Sequence, residues 1–539
     1  MREWQAFVLA MAVAVGTCMT DVRAQQGPEG INKKLDAVMK RMDQQDEKIE
    51  KQDEKIEKQD ETIEKQDETI KKQDVTIKKQ QEVIESFQQG GGKTAGGAET
   101  LNPKQEKQVE QLVNQYLSSE ENRIGLGLEQ VVAGYKDGFF LASRDQAYKL
   151  KFTGYVQADY RGVETNDPTA STFVLRRVRP TIEGTLAKYY NFKVQPDFGG
   201  GKAQLKDCYI DLAYFGDLST TRLGKFKGPQ GLEQYTSASN VLFVERSLMT
   251  NIAPDRDVGV MMFGKPIGDI LTYQLALLNG DDRTNWQGKG ADSDVDNNKA
   301  FDFAGRLQLN PFATTDNWWI KGMQLGGWFM EGREEDVPSN NTGGILSYKT
   351  GSGTTFLSTA NNVRQQGRRT RAGWDAAWFL GPVLFTAEWQ VMNSELQRNN
   401  GTPNYATANI PTTAWAVQAS WVLTGEDATL SGLGVKPKNP FDPKSGKWGA
   451  FELAARFSQL HTDREIWEGW AARAGQTNRA DDFTLGLNWY LCNNVKLMFD
   501  WDHVVFTDPI SVSATSGSGA KNNNLFDEDA FWFRTQVKW

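Results

Sequence analysis

Phe152-Thr153-Gly154-Tyr155-Val156-Gln157-Ala158-Asp159-Tyr160-Arg161 alternates strictly. Phe, Gly, Val, Ala and Tyr fall on one face; Thr, Tyr, Gln, Asp and Arg fall on the other. A period of two marks a β-strand with one apolar and one polar surface. The last residues repeat it, with Phe531, Phe533, Thr535, Val537 and Trp539 set against Trp532, Arg534, Gln536 and Lys538. Segment 483–491 sets Phe483, Leu485, Leu487, Trp489 and Leu491 against Thr484, Gly486, Asn488 and Tyr490. Similar runs predict strands near 174–186, 191–198, 204–214, 221–227, 257–264, 271–279, 301–310, 320–331, 370–380, 382–392, 412–424, 448–460 and 494–506, sixteen predicted strands in all.

Three features favour a membrane barrel over a soluble sandwich. Most segments run to about 9–12 residues, enough to cross a bilayer at a tilt, whereas soluble strands average about 5–6. The connections alternate in length, long at 228–256, 280–300, 332–369, 393–411, 461–482 and 507–528 and short at Gly381-Pro382 and Cys492-Asn493. Short periplasmic turns and long outer loops are the outer-membrane pattern. The chain also ends inside its last strand, at Trp539, so that strand can close against the first. A mean hydropathy of -0.56 is no objection, since only one face of each strand meets lipid. Two segments fit less simply. The connection 425–447 is long where a short turn is expected, which an excursion into the lumen or a different strand count would explain. Pro180 falls inside the second strand, where it removes a ladder donor and calls for a bulge.

Lys and Arg total 61 against 69 Asp and Glu, a formal net charge of -8 that argues against nucleic acid as a partner. Two His and three Cys leave too few ligands for a histidine-rich or four-cysteine metal site, and no cofactor is expected. Only Trp4, Phe7, Phe87 and Tyr116 among the aromatics precede Gly134, so the front and back of the chain are different material. Residues 1–24 read as a signal peptide, with Arg2, an apolar run from Ala6 to Val15, and Val22-Arg23-Ala24 at the cleavage site. Val15-Gly16-Thr17-Cys18 is a poor lipid-attachment box. In 31–87, Ile49, Ile56, Ile63, Ile70, Ile77 and Ile84 recur every seven residues, and Gln45, Gln52, Gln59, Gln66, Gln73 and Gln80 keep the same period. Ile at a and Gln at d predict a left-handed coiled coil, roughly 85 Å long at ~1.5 Å per residue. Ile at a suits a trimer, with a dimer or a single charged helix as alternatives. An even strand count brings both ends of the barrel to the periplasmic side, and this rod with them. A Gly-rich linker at 88–100 and a helical connector at 101–133 lead to the barrel, 134–539. Gly90 to Gly97 is not a phosphate loop, because Phe87 stands where the first glycine belongs.

Turning the apolar face outward directs Arg161, Arg177, Arg179, Lys193, Lys225, Lys227, Arg306, Arg371, Arg456, Arg534 and Lys538 into the lumen. It directs Asp159, Asp197, Asp207, Asp211, Asp375, Glu388 and Glu452 there too, and turns Arg176 outward toward a neighbouring barrel. Two readings stay open on the residues alone. Rings of Arg and Lys filter anions, since a guanidinium offers paired donors to a phosphate; or the arginines pair with lumenal carboxylates and only hold shape. The third outer loop, 228–256, is rich in turn residues and carries Glu233, Arg246 and Arg256, candidates for a constriction if it folds inward rather than lying exposed.

Residues 134–539 resemble the phosphate-selective porin O and P family. The likeness rests on Gly134 to Phe139, Gly154 to Arg161, Leu175-Arg176-Arg177-Val178-Arg179-Pro180, Leu223 to Glu233, Val244-Glu245-Arg246 and Trp448 to Phe457. It implies a sixteen-stranded outer-membrane barrel, usually trimeric, conducting anions along an arginine-lined path past an infolded third loop. The arginine-ladder role carries onto Arg177 and Arg179. The chain departs from the family in its coiled coil and in its mixed lumen.

The expectation is an all-β outer-membrane porin for small hydrophilic solutes, favouring anions such as phosphate, with the rod in the periplasm. Arg177, Arg179, Lys225, Lys227, Arg306, Arg371 and Arg456 are the expected anion-binding lining, and no residue is expected to be catalytic. The alternatives are a non-selective diffusion porin, or a tether whose coiled coil joins outer-membrane lipid to peptidoglycan. Asp292-Ser293-Asp294-Val295-Asp296-Asn297 resembles a calcium loop but has Phe303 at the twelfth position. His461 and His503 have no nucleophile motif beside them.

Overall fold

The computed structural model describes residues 131–539 apart from 165–170, 281–299, 336–345, 361, 399–402, 404, 433, 472–474 and 513–522. The predicted signal peptide, coiled coil and linker, nearly all of the helical connector, and the run 292–297 lie outside the described residues.

The strands are β1 (Val132–Tyr135), β2 (Phe139–Ala142), β3 (Lys149–Glu164), β4 (Thr172–Leu186), β5 (Tyr190–Asp197), β6 (Gln204–Leu212), β7 (Thr220–Lys227), β8 (Arg256–Ile267), β9 (Leu271–Leu278) and β10 (Asp302–Leu309). They continue as β11 (Met323–Glu335), β12 (Ser347–Lys349), β13 (Thr355–Ser358), β14 (Val363–Leu380), β15 (Val383–Arg398), β16 (Ala406–Val422), β17 (Ala450–Thr462), β18 (Arg479–Cys492), β19 (Val495–Val512) and β20 (Asn523–Lys538). β3 to β11 and β14 to β20 pair in chain order, each antiparallel to the next, and β20 returns to β3 from Asp529↔Glu164 to Lys538↔Tyr155. The sixteen predicted segments are the sixteen strands of this closed barrel. Two hairpins were not expected: β1–β2, and β12–β13 in the loop between β11 and β14.

At the seam Gly154 and Trp539 exchange both backbone hydrogen bonds, each 3.0 Å. Below it β2 takes over from β20, pairing Phe139 with Phe152 and Ala142 with Lys149. Along β3, Tyr155, Gln157 and Asp159 are buried inside while Phe152 and Tyr160 are exposed outside, as the alternation requires. The outer surface carries a belt of Leu, Val, Phe and Trp.

Pro180 is not accommodated by a bulge at its own position. The β4–β5 ladder runs from Leu186↔Tyr190 to Ile182↔Val194 and stops there, so Pro180 sits where no donor is asked for on that side. Above it the Asp197 carboxylate accepts from the Val178 N–H at 3.1 Å. The bulge lies four residues earlier: Gln157 pairs with Arg177 but Ala158 with Leu175, which leaves Arg176 extra. A bulged residue escapes strict alternation. Arg176 therefore turns into the lumen and not toward a neighbouring barrel, and its guanidinium meets Glu245 at 2.7 and 3.2 Å.

The connection 423–449 is a long excursion at the end of the barrel where the short turns lie, and the strand count around it stands. Its Ala428 and Val435 pack with Leu242 and Phe243 of loop 228–255 against Leu384, Val422 and Tyr490 of the inner wall. Toward the outer end a second apolar cluster joins Leu248, Met249 and Ile252 to Tyr348, Phe356 and Leu357 of the β12–β13 hairpin and to Met392, Leu396, Ile410, Leu460 and Phe506 of the wall. The β15–β19 side of the lumen is thus filled.

A Cβ at Gly154 would lie 2.7 Å from the Trp539 ring and 2.8 Å from the Arg179 carbonyl. Gly154→Val is expected to lose most of the heat-modifiable folded barrel on unboiled gels. Gly327→Ala, where a Cβ meets nothing within 4 Å, is expected to keep it. Equal folded fractions in the two variants would refute the seam as described.

Candidate functional site

Loop 228–255 leaves β7 and runs through the inside of the barrel. A loop enclosed this way brings backbone groups that need partners, and the wall supplies them with side chains. Gln157 donates to the Ala238 carbonyl (3.0 Å), Gln536 to Ser239 (3.0 Å), Asn488 to Leu242 (2.9 Å) and Arg534 to Val244 (2.7 Å). Arg456 donates to Glu245 (2.9 Å), Gln390 to Met249 (2.5 Å) and Arg306 to Gln230 (2.9 Å). In the other direction the N–H groups of Glu233 and Val244 donate to Glu388 (2.8 Å) and Asp500 (2.5 Å). The polar faces of β3, β10, β15 and β17 to β20 are thus largely a cradle for this loop.

Most lumenal arginines are matched by carboxylates. Arg179 meets Asp197 at 2.7 Å and the Tyr155 hydroxyl at 2.8 Å. Arg306 grips Asp375 with two bonds, 2.5 and 2.8 Å, and Arg534 grips Asp159 with two of 2.7 Å. Arg256 meets Asp207 (2.5 Å) and Asp255 (3.2 Å). Arg456 lies 3.3 Å from Asp482 and 3.7 Å from Glu233. Arg371 is buried on β14 near Tyr348. Forked pairs of this kind set geometry. Their charge is largely spent on each other. Glu233 also accepts from the Ser247 N–H and hydroxyl, which folds the loop on itself. Glu245 sits among three guanidinia, Arg176, Arg161 (3.3 Å) and Arg534 (3.9 Å). Burial alone would raise the pKa of its carboxyl, but Arg176 and its neighbours hold it well below the usual carboxylate range.

Between β3–β8, the loop, the β12–β13 hairpin and Arg456, Asp482 and Asp502 of β17–β19 lies a cavity of about 530 Å³. Its wall carries Arg161, Arg176, Arg177, Arg179, Lys206, Lys227, Arg246, Arg256, Lys349 and Arg456 against Asp197, Glu245, Asp255, Asp482 and Asp502. Four of these cations have no carboxylate at ion-pair distance among the described residues: Arg177, Lys206, Lys227 and Arg246. Buried Arg177 gives one bond to the Gln157 side-chain oxygen (2.9 Å), and its Nε has no acceptor. Lys227 donates to the carbonyls of Gln234 (2.6 Å) and Thr236 (2.9 Å). Arg246 donates to Glu233 (3.2 Å) and Thr236 (2.8 Å). A smaller cavity of about 300 Å³ is lined by Tyr235, Gln274, Arg306 and Gln308.

The structure thus brings Arg177, Arg179, Lys227, Arg246, Arg256 and Arg456 to one cavity and sets Arg306 in the smaller one. Glu233 and Arg371 line neither. Lys225 departs from its expected inward position. It pairs with Cys208 and Val258, on the outward rungs that continue through Ile210 and Leu223. Before Lys227, which turns into the cavity at the strand's end, the inward side chains of β7 include Arg222 and Phe226, and Phe226 packs with Met261, Leu278, Trp328 and Met330 inside the barrel. Polar-in, apolar-out fails there because the lumen has an apolar cluster of its own. Lys206 went unrecognised for the same reason as Arg176: Gln195 pairs with Asp207 and Pro196 with Leu205, so Lys206 is the extra residue of a second bulge.

Removing one partner of a buried charge network costs about 3–5 kcal/mol. Glu245→Gln takes from Arg176 its carboxylate partner and leaves Arg161 only Asp159 at 3.7 Å, and is expected to loosen loop 228–255 and raise single-channel conductance in planar bilayers. Wild-type conductance with wild-type heat stability would show that Glu245 does not hold the loop.

Residues 150–508 match the family model described as phosphate-selective porin O and P. Porin O of Pseudomonas aeruginosa is 24% identical over 428 residues, covering 75% of this chain and 92% of the relative. The outer membrane channel DcaP of Acinetobacter baumannii aligns with a TM-score of 0.44 at 8% identity, over 76% of this chain and 100% of that one. The anion-selective porin from Comamonas acidovorans aligns with a TM-score of 0.42 at 11% identity, over 73% and 100%. The family match runs from β3 into β19, most of the barrel, and this chain belongs to the phosphate-selective porin O and P family.

Proposed function

We propose that the barrel carries small anions, inorganic phosphate among them, across the outer membrane along its β3–β8 side, and that Arg177, Lys206, Lys227 and Arg246 select them. One observation supports this above the others: these four cations share a cavity and, among the described residues, have no carboxylate at ion-pair distance. Matched pairs such as Arg306–Asp375 leave little net field, whereas unmatched cations in a low-dielectric wall concentrate anions. Arg177 and Arg246 offer forked donors to phosphate oxygens, and Lys206 and Lys227 act as point charges. The protein is a channel, not an enzyme; its work is binding and release. Arg179, Arg256 and Arg456 serve this reading as shape-holding members of the wall. Glu233 and Arg246 serve it by fixing the loop that narrows the lumen.

In a salt gradient across a planar bilayer the wild type is expected to give an anion-selective reversal potential and to be blocked by phosphate in chloride. Arg177→Gln with Arg246→Gln is expected to weaken that block roughly tenfold, the loss of charge-assisted hydrogen bonds. Cation preference in the wild type would end the proposal and favour a non-selective diffusion porin.

The assembly proposed is a trimer whose heptads at 31–87 form a three-stranded periplasmic rod, supported by Ile at a and reaching toward peptidoglycan. Deleting 31–87 is expected to lower trimer yield in detergent while leaving selectivity as in wild type. Full trimer yield with a detached outer membrane would instead identify the rod as a tether.

A further inference from the structure

The connection 423–449 faces two ways. One arm, with Ala428 and Val435, enters the lumen mouth. The other climbs over the rim onto the outside of the barrel. The Phe441 ring lies 5.3 Å from Trp489 and 5.9 Å from Trp448, and Trp489 stacks on Phe451 at 5.5 Å. Trp489 and Phe451 belong to the outward series of β18 and β17, whose inward neighbours Tyr490 and Glu452 are buried and bonded to each other at 2.7 Å. The Trp489 indole N–H donates to the Trp448 carbonyl at 2.6 Å, the Phe441 N–H to Leu491 at 2.7 Å, and the Gly449 N–H to Asn439 at 3.1 Å. Pro437, Pro440 and Pro443 stiffen the segment further. The arm is therefore built onto the barrel wall.

Its exposed surface pairs aromatic with basic residues. Trp448 is 58% exposed, and Lys436, Lys438, Lys444 and Lys447 of the same segment are exposed, with Asp442 the single acid from 436 to 448. Asp442 is turned to local duty, accepting from the Lys444 N–H and the Ser445 hydroxyl. Trp421, at the same end of β16, is 55% exposed, and Trp318 and Trp319, in the turn before β11, are 67% and 51% exposed. Aromatic girdles mark the level where hydrocarbon meets head groups, and lysines at that level attract anionic lipid.

We infer that the outer arm of this connection, through Lys436, Lys444, Lys447 and Trp448, binds the head group of an anionic phospholipid in the periplasmic leaflet. The charge is complementary, the aromatic rings set the depth, and the site lies off the lumen. The inference needs the barrel to sit in a bilayer with its short turns periplasmic, and does not depend on anion conduction. Lys438 is left out, because its ammonium holds the Gly425 carbonyl at 2.6 Å.

The test reconstitutes the full chain and a Lys436→Gln, Lys444→Gln, Lys447→Gln variant into vesicles, and reads quenching of tryptophan fluorescence by brominated phosphatidylglycerol against brominated phosphatidylcholine. The wild type is expected to favour phosphatidylglycerol roughly fivefold or more, and the variant to lose that preference while keeping its heat-modifiable fold and its ion selectivity. Millimolar inorganic phosphate is expected to leave the wild-type preference in place. Equal quenching by the two lipids in the wild type, or the same preference in the variant, would overturn the inference. So would suppression by free phosphate, which would assign the lysines to soluble anion. Lost selectivity in the wild type would bear on the channel proposal alone.

Discussion

A backbone N–H or carbonyl in hydrocarbon has no water to turn to, so a sheet that crosses a membrane must close. Here the closure is the antiparallel pairing of β20 with β3, ending where Trp539 and Gly154 exchange hydrogen bonds. The rest of the molecule follows from that ring. Outward side chains must be apolar because they meet lipid. Inward side chains are freed from that demand, and the chain uses them to hold a loop.

The same rule of satisfaction operates inside. Loop 228–255 is enclosed, and its carbonyls and N–H groups are taken up by Gln157, Gln390, Asn488, Arg534 and their neighbours. Many polar residues that look like a channel lining are therefore structural, and so are most of the arginines. Outside this matching stand a few cations with no carboxylate at ion-pair distance among the described residues, the ones proposed above to select anions. The apolar cluster of Leu248, Met249 and Ile252 with the β15–β19 wall fills much of the lumen beside the cavity that holds those cations.

The long connection 423–449 belongs to both demands at once. Its lumen arm adds to the apolar packing beneath the infolded loop, and its outer arm joins the aromatic ring around the rim. A single segment thus links the bilayer surface to the interior of the barrel, through contacts that are local in space though distant in sequence.

Composition and periodicity determined a great deal by themselves. Alternation over Phe152 to Arg161 and its repeats located the sixteen barrel strands, because each face answers to one solvent and two-residue periodicity is a local property. Tertiary structure alone decided the inner face. Bulges at Arg176 and Lys206 break the parity rule and turn two cations inward, and a buried apolar cluster reverses it for Phe226 and Lys225. Whether a given arginine is matched depends on a carboxylate hundreds of residues away, as Arg534 on Asp159. Periodicity records which solvent a residue faces; it carries no record of which charge stands across the lumen.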